Sequence, residues 1–242
     1  MIEREAAPGI HRIENNRTNF YVVEQDGRYT VVDAGLPTSW PSLTRAVASL
    51  ERIDALILTH AHFDHIGIAE RLRARLGIPV YVHENDVPLT MHPTKYGRER
   101  SPLWYVATQP QALPVVLGFA ATGSFFPSRI KEVRRFTGGT LDVPGSPRVV
   151  FTPGHTLGHV AFHFPDRDAV IAGDAVVTFN PYRAATGPQI VAQAATVDSE
   201  RALRSLDALA ETGVSTVLTG HGPVWRDGVE SIVEQAKRRG VT

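Results

Sequence analysis

Thr59-His60-Ala61-His62-Phe63-Asp64-His65-Ile66-Gly67 sets three histidines and one aspartate within six residues. The apolar run Ala55-Leu56-Ile57-Leu58 comes directly before and reads as a buried strand; Gly67 and Ile68 to Leu76 read as a turn into a helix. Ionisable groups crowded at the end of a buried strand are costly unless something compensates them, and a bound cation is the simplest compensation. Imidazole nitrogen and carboxylate oxygen suit Zn, Mn and Fe. His60 and His62 stand two apart, so in an extended segment they point the same way. Asp64 and His65 fall where the chain turns and can aim at a second point nearby. Two metals, rather than one, are the expectation.

Outward from this stretch, strand and helix patterns alternate. Phe20 to Glu24 and Tyr29 to Val32 flank Gln25-Asp26-Gly27, a strong hairpin signal. The second of these strands runs into Asp33-Ala34-Gly35. Trp40 to Glu51 carries a helical period, Gly77 is a helix stop, and Pro79 to His83 is a short strand. From about 84 to 135 the rhythm breaks, with prolines at 88, 93, 102, 110, 114 and 127 and dense aromatics, including Trp104, Tyr105, Phe119, Phe125 and Phe126. The aromatic content argues against disorder. This segment reads as a lid-like insertion of short helices over a pocket, the other readings being a helical pair that covers the sheet or a homodimer contact. Strands resume at Gly139 to Val143, Arg148 to Thr152, Val160 to Phe164 and Ala169 to Ala172. A helix follows from Asp198 to Thr212, then a strand at Ser215 to Leu218 and a closing helix at Val229 to Arg239.

Composition excludes several classes. The 242 residues carry 25 basic and 25 acidic side chains, a balance that argues against a nucleic-acid partner. Without cysteine there is no disulfide, thiolate site or thiol nucleophile. No run reaches membrane-spanning length and the N-terminal residues lack an apolar signal region, so a single cytoplasmic domain over 1–242 with no membrane partner is expected.

Three later turns each follow an apolar strand and present a metal-type ligand: His155 in Pro153-Gly154-His155-Thr156-Leu157-Gly158-His159, Asp174 after Gly173, and His221 in Gly220-His221-Gly222. Glycine beside each lets the backbone turn sharply near an ion. Any one of them alone is weak, since Asp174 could be a turn residue and a lone histidine is more often structural. His11, His83, His92 and His163 read as surface or packing residues, and His159 as structural. Asp33 reads as a group that steadies the ligand loops, with Thr59 and Thr156 in similar work.

Together, His60-x-His62-x-Asp64-His65, the later His155, Asp174 and His221, and the early Asp33-x-Gly35 resemble the metallo-β-lactamase-fold metallohydrolases over nearly the whole chain. The resemblance implies an α/β fold, a four-layer αββα sandwich with its metals at one edge. It implies that His60, His62 and His155 hold one metal, that Asp64, His65 and His221 hold a second, and that Asp174 bridges them, with two Zn2+ per chain or Fe or Mn in their place. It further implies attack of a metal-bridged hydroxide on a carbonyl, with Asp64 orienting the hydroxide and passing a proton to the leaving group.

True β-lactamases of the family lack the bridging aspartate, so the lactonase and glyoxalase-II-like branches are the nearer resemblance. Lactonases carry a tyrosine three residues past that aspartate, where this chain has Val177, with Tyr182 nearby. The glyoxalase-II-like branch adds a C-terminal helical region that about twenty residues after His221 do not match. Arg183 suits a carboxylate or phosphate, or is a solvated loop arginine. The expected substrate is a small-molecule ester, lactone or thioester with a hydrophobic portion. The alternatives are a mononuclear iron-dependent oxygenase of the persulfide dioxygenase type and a catalytically inactive metal-bearing binding protein.

Overall fold

The computed structural model describes residues 1–242. Seven strands make the first sheet, in chain order: β1 (Ile2–Ala7), β2 (Ile10–Asn15), β3 (Thr18–Gln25), β4 (Arg28–Val32), β5 (Ile53–Ile57), β6 (Val80–His83) and β7 (Arg134–Phe136). β1 to β4 pair antiparallel, and β4 to β7 pair parallel. The second sheet holds β8 (Arg148–Phe151), β9 (Val160–Phe164), β10 (Ala169–Gly173) and, after a separate hairpin of β11 (Val177–Asn180) and β12 (Ala185–Gln189), β13 (Thr216–Thr219). Its spatial order is β13-β10-β9-β8, with only the β10–β13 pair parallel.

Period-two alternation along the strands builds the layers. On β3, Phe20 and Val22 face an outer core with Leu43 of α1 (Trp40–Ala46) and Leu72 of α2 (Ala69–Leu76). Tyr21 and Val23 face the other way, into the core between the sheets, where they meet Phe162, Phe164 and Ile171. β10 repeats the division: Ala169 and Ile171 point between the sheets, while Val170 and Ala172 meet α6 (Ser199–Ala210) and α7 (Val229–Arg239) through Leu206, Leu209, Ile232 and Val233. Two helices lie outside each sheet, which is the αββα sandwich that the ligand motifs implied. Asp198 caps α6 by accepting from the Arg201 amide at 2.8 Å.

The insertion contains α3 (Val87–Met91), α4 (Pro102–Thr108) and α5 (Leu113–Ala121) before the chain rejoins the sheet as β7. Two sequence expectations are corrected. Gly139 to Val143 is not a strand: Leu141 and Val143 are buried in alternation, but the chain turns through Pro144-Gly145 and only Thr140 forms an isolated bridge, to Arg148. The helix expected over 40–51 stops at Ala46, and Ser49 instead caps a short 3-10 turn, Leu50–Arg52. The N-terminal pair β1–β2 and the hairpin β11–β12 were not read from sequence. No helix is long and apolar enough to cross a membrane.

Candidate metal centre

Every candidate ligand lies just past a strand end at one edge of the sandwich. β5 delivers His60, His62, Asp64 and His65; β8 is followed by His155, β10 by Asp174 and β13 by His221. All seven side chains are buried. Their ligand atoms converge in two groups, His60–His62–His155 and Asp64–His65–His221, within 4.8 Å inside each group. Asp174 lies between the groups. Its Oδ2 is 3.4 Å from His155 Nε2 and 3.3 Å from His221 Nε2, and its Oδ1 is 3.6 Å from His65 Nε2.

Backbone geometry permits this approach. A Cβ on Gly220 would sit 2.0 Å from Asp174 Oδ1, so only glycine lets the β13 turn close over the carboxylate. Gly154, at φ +137°, turns the His155 loop against Ala202 of α6.

The histidines are aimed by their second nitrogens. His65 Nδ1–H donates to Asp33 Oδ2 at 3.1 Å, and His221 Nδ1–H donates to the Arg17 carbonyl at 2.9 Å. Thr59 Oγ1–H donates to Asp33 and so accepts from His60 Nδ1–H at 3.0 Å. Thr196 Oγ1–H donates to the Val191 carbonyl and so accepts from His155 Nδ1–H at 3.4 Å. In all four the tautomer follows from the partner, and the Nε2 lone pair is left for the centre. Asp33 also takes the Thr59 amide at 2.8 Å, and these bonds hold it at φ +60°, unusual for a residue with a Cβ. The steadying role expected of Asp33 and Thr59 is what the structure contains.

The donor set fits divalent cations. His60 Nε2 and His155 Nε2 are 3.3 Å apart. Two nitrogens at tetrahedral Zn–N distance from one ion lie about 3.3–3.4 Å apart, so the pair already has the edge of a coordination tetrahedron. His62 Nε2, His65 Nε2 and Asp174 Oδ1 are buried with no hydrogen-bond partner, an arrangement that is expensive without a ligand. Burial, reinforced by neighbouring imidazoles, holds His60 and His155 well below the usual histidine range, and burial takes His62 down to about 3. These three are neutral, as ligands must be. The second group is more acidic. Burial opposes charge on His65 and His221, but Asp174 and Asp64 outweigh it and raise both, His65 to about 10. The carboxylates therefore demand positive charge, which protons or cations can supply; only cations use the aimed lone pairs.

Three further groups hold the loops in place: His159, read from sequence as structural, and Asp86 and Tyr96, which the sequence did not single out. His159 Nε2 accepts from the Asp174 amide at 3.0 Å, and its Nδ1–H donates to Thr152 Oγ1 at 2.8 Å, so it anchors the Asp174 turn without facing the centre. Asp86 was not anticipated. Fully buried, it accepts from the Ala61 amide at 3.1 Å, Thr156 Oγ1 at 2.8 Å and the Gly158 amide at 2.8 Å, tying the His60–His62 loop to the His155 loop. Tyr96, also unanticipated, lays its ring against His62 with centroids 4.1 Å apart. Tyr182 borders the centre as expected, whereas Arg183 is not among the residues lining it or the adjoining cavity; Arg98 lines that cavity instead.

Comparison with known proteins agrees with this fold. A 28% identical relative, the probable metallo-hydrolase YflN of Bacillus subtilis, aligns over 90% of this chain and 85% of its own length. Among solved structures, the metallo-beta-lactamase family protein TTHA1429 of Thermus thermophilus superposes with a TM-score of 0.70 at 24% identity, over 96% of this chain and 79% of that one. TTHA1623, solved in a di-iron-bound form, superposes with a TM-score of 0.64 at 26% identity, over 93% of this chain and 96% of that one. The profile of the Metallo-beta-lactamase superfamily matches residues 14–221, a span that begins on β2 and ends on the last candidate ligand, His221. With its two facing sheets, its candidate ligands at strand ends and that match, the chain belongs to the metallo-beta-lactamase superfamily.

Proposed function

We propose that this protein is a dinuclear metal-dependent hydrolase of esters, lactones or thioesters that carry a hydrophobic portion. The observation that carries the reading is the position of Asp174, within 3.6 Å of ligand nitrogens from both groups. A carboxylate shared in this way is suited to two cations held side by side, one by His60, His62 and His155 and the other by Asp64, His65 and His221. Bound divalent ions of this kind supply a Lewis acid and hydroxide at neutral pH. The rest falls to the chain's own groups. Asp64, with Oδ2 3.5 Å from His221 Nε2, borders the small space where the reacting carbonyl must come and is the group there that can carry a proton to the leaving group. Phe63, Phe119 and Pro181 border the same space and exclude bulk water.

The nitrogen-rich ligand set suits zinc, and the same ligands accept iron or manganese. The test is elemental analysis of the purified protein beside a hydrolysis panel of esters, lactones and thioesters, before chelation, after chelation and after zinc is restored. Two ions per chain and turnover that follows metal content are expected. One iron per chain with oxygen consumption, or full turnover in the chelated protein, would overturn the proposal.

A further inference from the structure

Beside the metal centre lies a cavity of about 210 Å³, lined chiefly by apolar side chains of the insertion and of the loop that carries the ligand motif. Phe63, Phe119 and Phe125 form an aromatic wall, with ring centroids 5.9 Å apart for Phe63–Phe119 and 5.7 Å for Phe63–Phe125. Val106 and Val116 come from α4 and α5, and Arg98 is the one charged side chain in the lining. Phe63, Tyr96, Phe119, Pro181 and Tyr182 border both this cavity and the metal centre, so the two spaces share a wall. At that wall the Tyr96 and Tyr182 hydroxyls lie 3.5 Å apart, with no other hydrogen-bond partner. That is long for an O–H···O bond. Each phenol carries one O–H, and the contact between them can use at most one of the two, so the pair keeps a donor for a third group.

We propose that this cavity is the site for the apolar acyl or aryl portion of the substrate and that the Tyr96–Tyr182 pair donates to an oxygen of its carbonyl group. The proposal rests on the hydrolase reading and adds to it a size limit and a pair of substrate-contacting residues. A dry apolar cavity of roughly 150 Å³ holds one benzene molecule. By that measure this cavity takes one aryl ring with a methylene or two, or a straight chain on the order of six to eight carbons. An unbranched or aromatic group fills the volume, whereas a charged or heavily hydroxylated one would leave polar atoms unpaired against the phenylalanine wall.

The test needs no turnover. Straight-chain carboxylates from acetate to decanoate, which stand for the acyl product, are titrated calorimetrically into the zinc-loaded protein. Affinity is expected to rise about fourfold per methylene until the cavity is full, at about six to eight carbons, and then to level off or fall. Val116→Trp is expected to move that break to a shorter chain, with metal content and thermal midpoint reporting that the variant is folded. Tyr182→Phe is expected to weaken every carboxylate by about tenfold, leaving the dependence on chain length intact. An affinity that changes less than twofold from acetate to octanoate overturns the pocket. An unchanged break in Val116→Trp does the same, and the absence of a common loss in Tyr182→Phe overturns the role of the phenols. A preserved chain-length profile in a protein that hydrolyses no member of the panel would refute the hydrolase reading and leave the pocket standing. Hydrolysis with a flat profile would do the reverse.

Discussion

Replacing Asp86 by alanine is expected to destabilise the protein and loosen the metal centre, although Asp86 is not itself a ligand. The substitution orphans the Ala61 amide, the Gly158 amide and the Thr156 hydroxyl, all facing a fully buried position. A buried polar group left unpaired costs about 1–3 kcal/mol, so three cost roughly 3–6 kcal/mol after partial relaxation. Part of this is offset at neutral pH, because burial pushes the Asp86 carboxyl from 3.8 up to about 6, against the pull of those same three donors. An ionised Asp86 at pH 7.5 therefore carries roughly 3 kcal/mol of strain that alanine lacks.

The sign follows from which state binds the proton more tightly. The folded carboxyl keeps it up to about pH 6 and the unfolded carboxyl releases it near 3.8, so this contribution to stability is full below 3.8 and lost as pH rises through 6. The deficit of Asp86→Ala is expected at about 0–3 kcal/mol at pH 7.5 and about 1.4 kcal/mol greater at pH 5. Urea unfolding of both metal-free proteins at the two pH values measures it. Competition with a chelator at pH 7.5 measures the second consequence, about 10–100-fold weaker metal binding once the His60–His62 and His155 loops are untied. A variant within 0.5 kcal/mol of the parent at both pH values, with unaltered metal affinity, would refute the reasoning.

Asp174→Asn is expected to lower metal content from two ions per chain to one or fewer, read by elemental analysis after gel filtration. Gly220→Ala places a Cβ 2.0 Å from Asp174 Oδ1 and is expected to cut metal content and hydrolysis by more than tenfold. Gly213→Ala, at φ +63° with nothing within 4 Å of the new Cβ, is expected to cost only about 1 kcal/mol in thermal unfolding and to keep both ions. His159→Phe leaves the Asp174 amide and Thr152 hydroxyl without a partner and is expected to reduce kcat about 10–100-fold while the candidate ligands all remain; an unchanged kcat would show that the Asp174 turn does not depend on it.

What the chain discloses before folding depends on the range of the interaction. His60-x-His62-x-Asp64-His65 is legible because its spacing is itself the chemistry, and His155, Asp174 and His221 become legible because each repeats a strand, a glycine and a ligand. Strands such as β3 and the capped, amphipathic α6 are legible from their own alternation and period, whereas the sandwich they build is legible only through the resemblance that the ligand motifs carry. β1 was hidden because Glu3, Arg4 and Glu5 break the apolar alternation on an edge strand that keeps only part of its length buried. Leu141 and Val143 misled in the opposite sense, since two buried residues on a turning loop imitate a strand. Asp86 could not be found from sequence. Its three partners lie 25, 70 and 72 residues away and are mostly backbone, so no local pattern marks it. Tyr96 and Arg98 sit in a proline-punctuated insertion, where only the folded path says which side chains face the cavity.

The central claim is that two cations lie side by side within this edge of the sandwich. Anomalous scattering at the zinc edge from zinc-loaded crystals tests it most directly. The account predicts two peaks about 3.5–4 Å apart, one among His60, His62 and His155, the other among Asp64, His65 and His221, with the Asp174 carboxylate between them. A single peak, or none in crystals soaked with excess zinc, would contradict it.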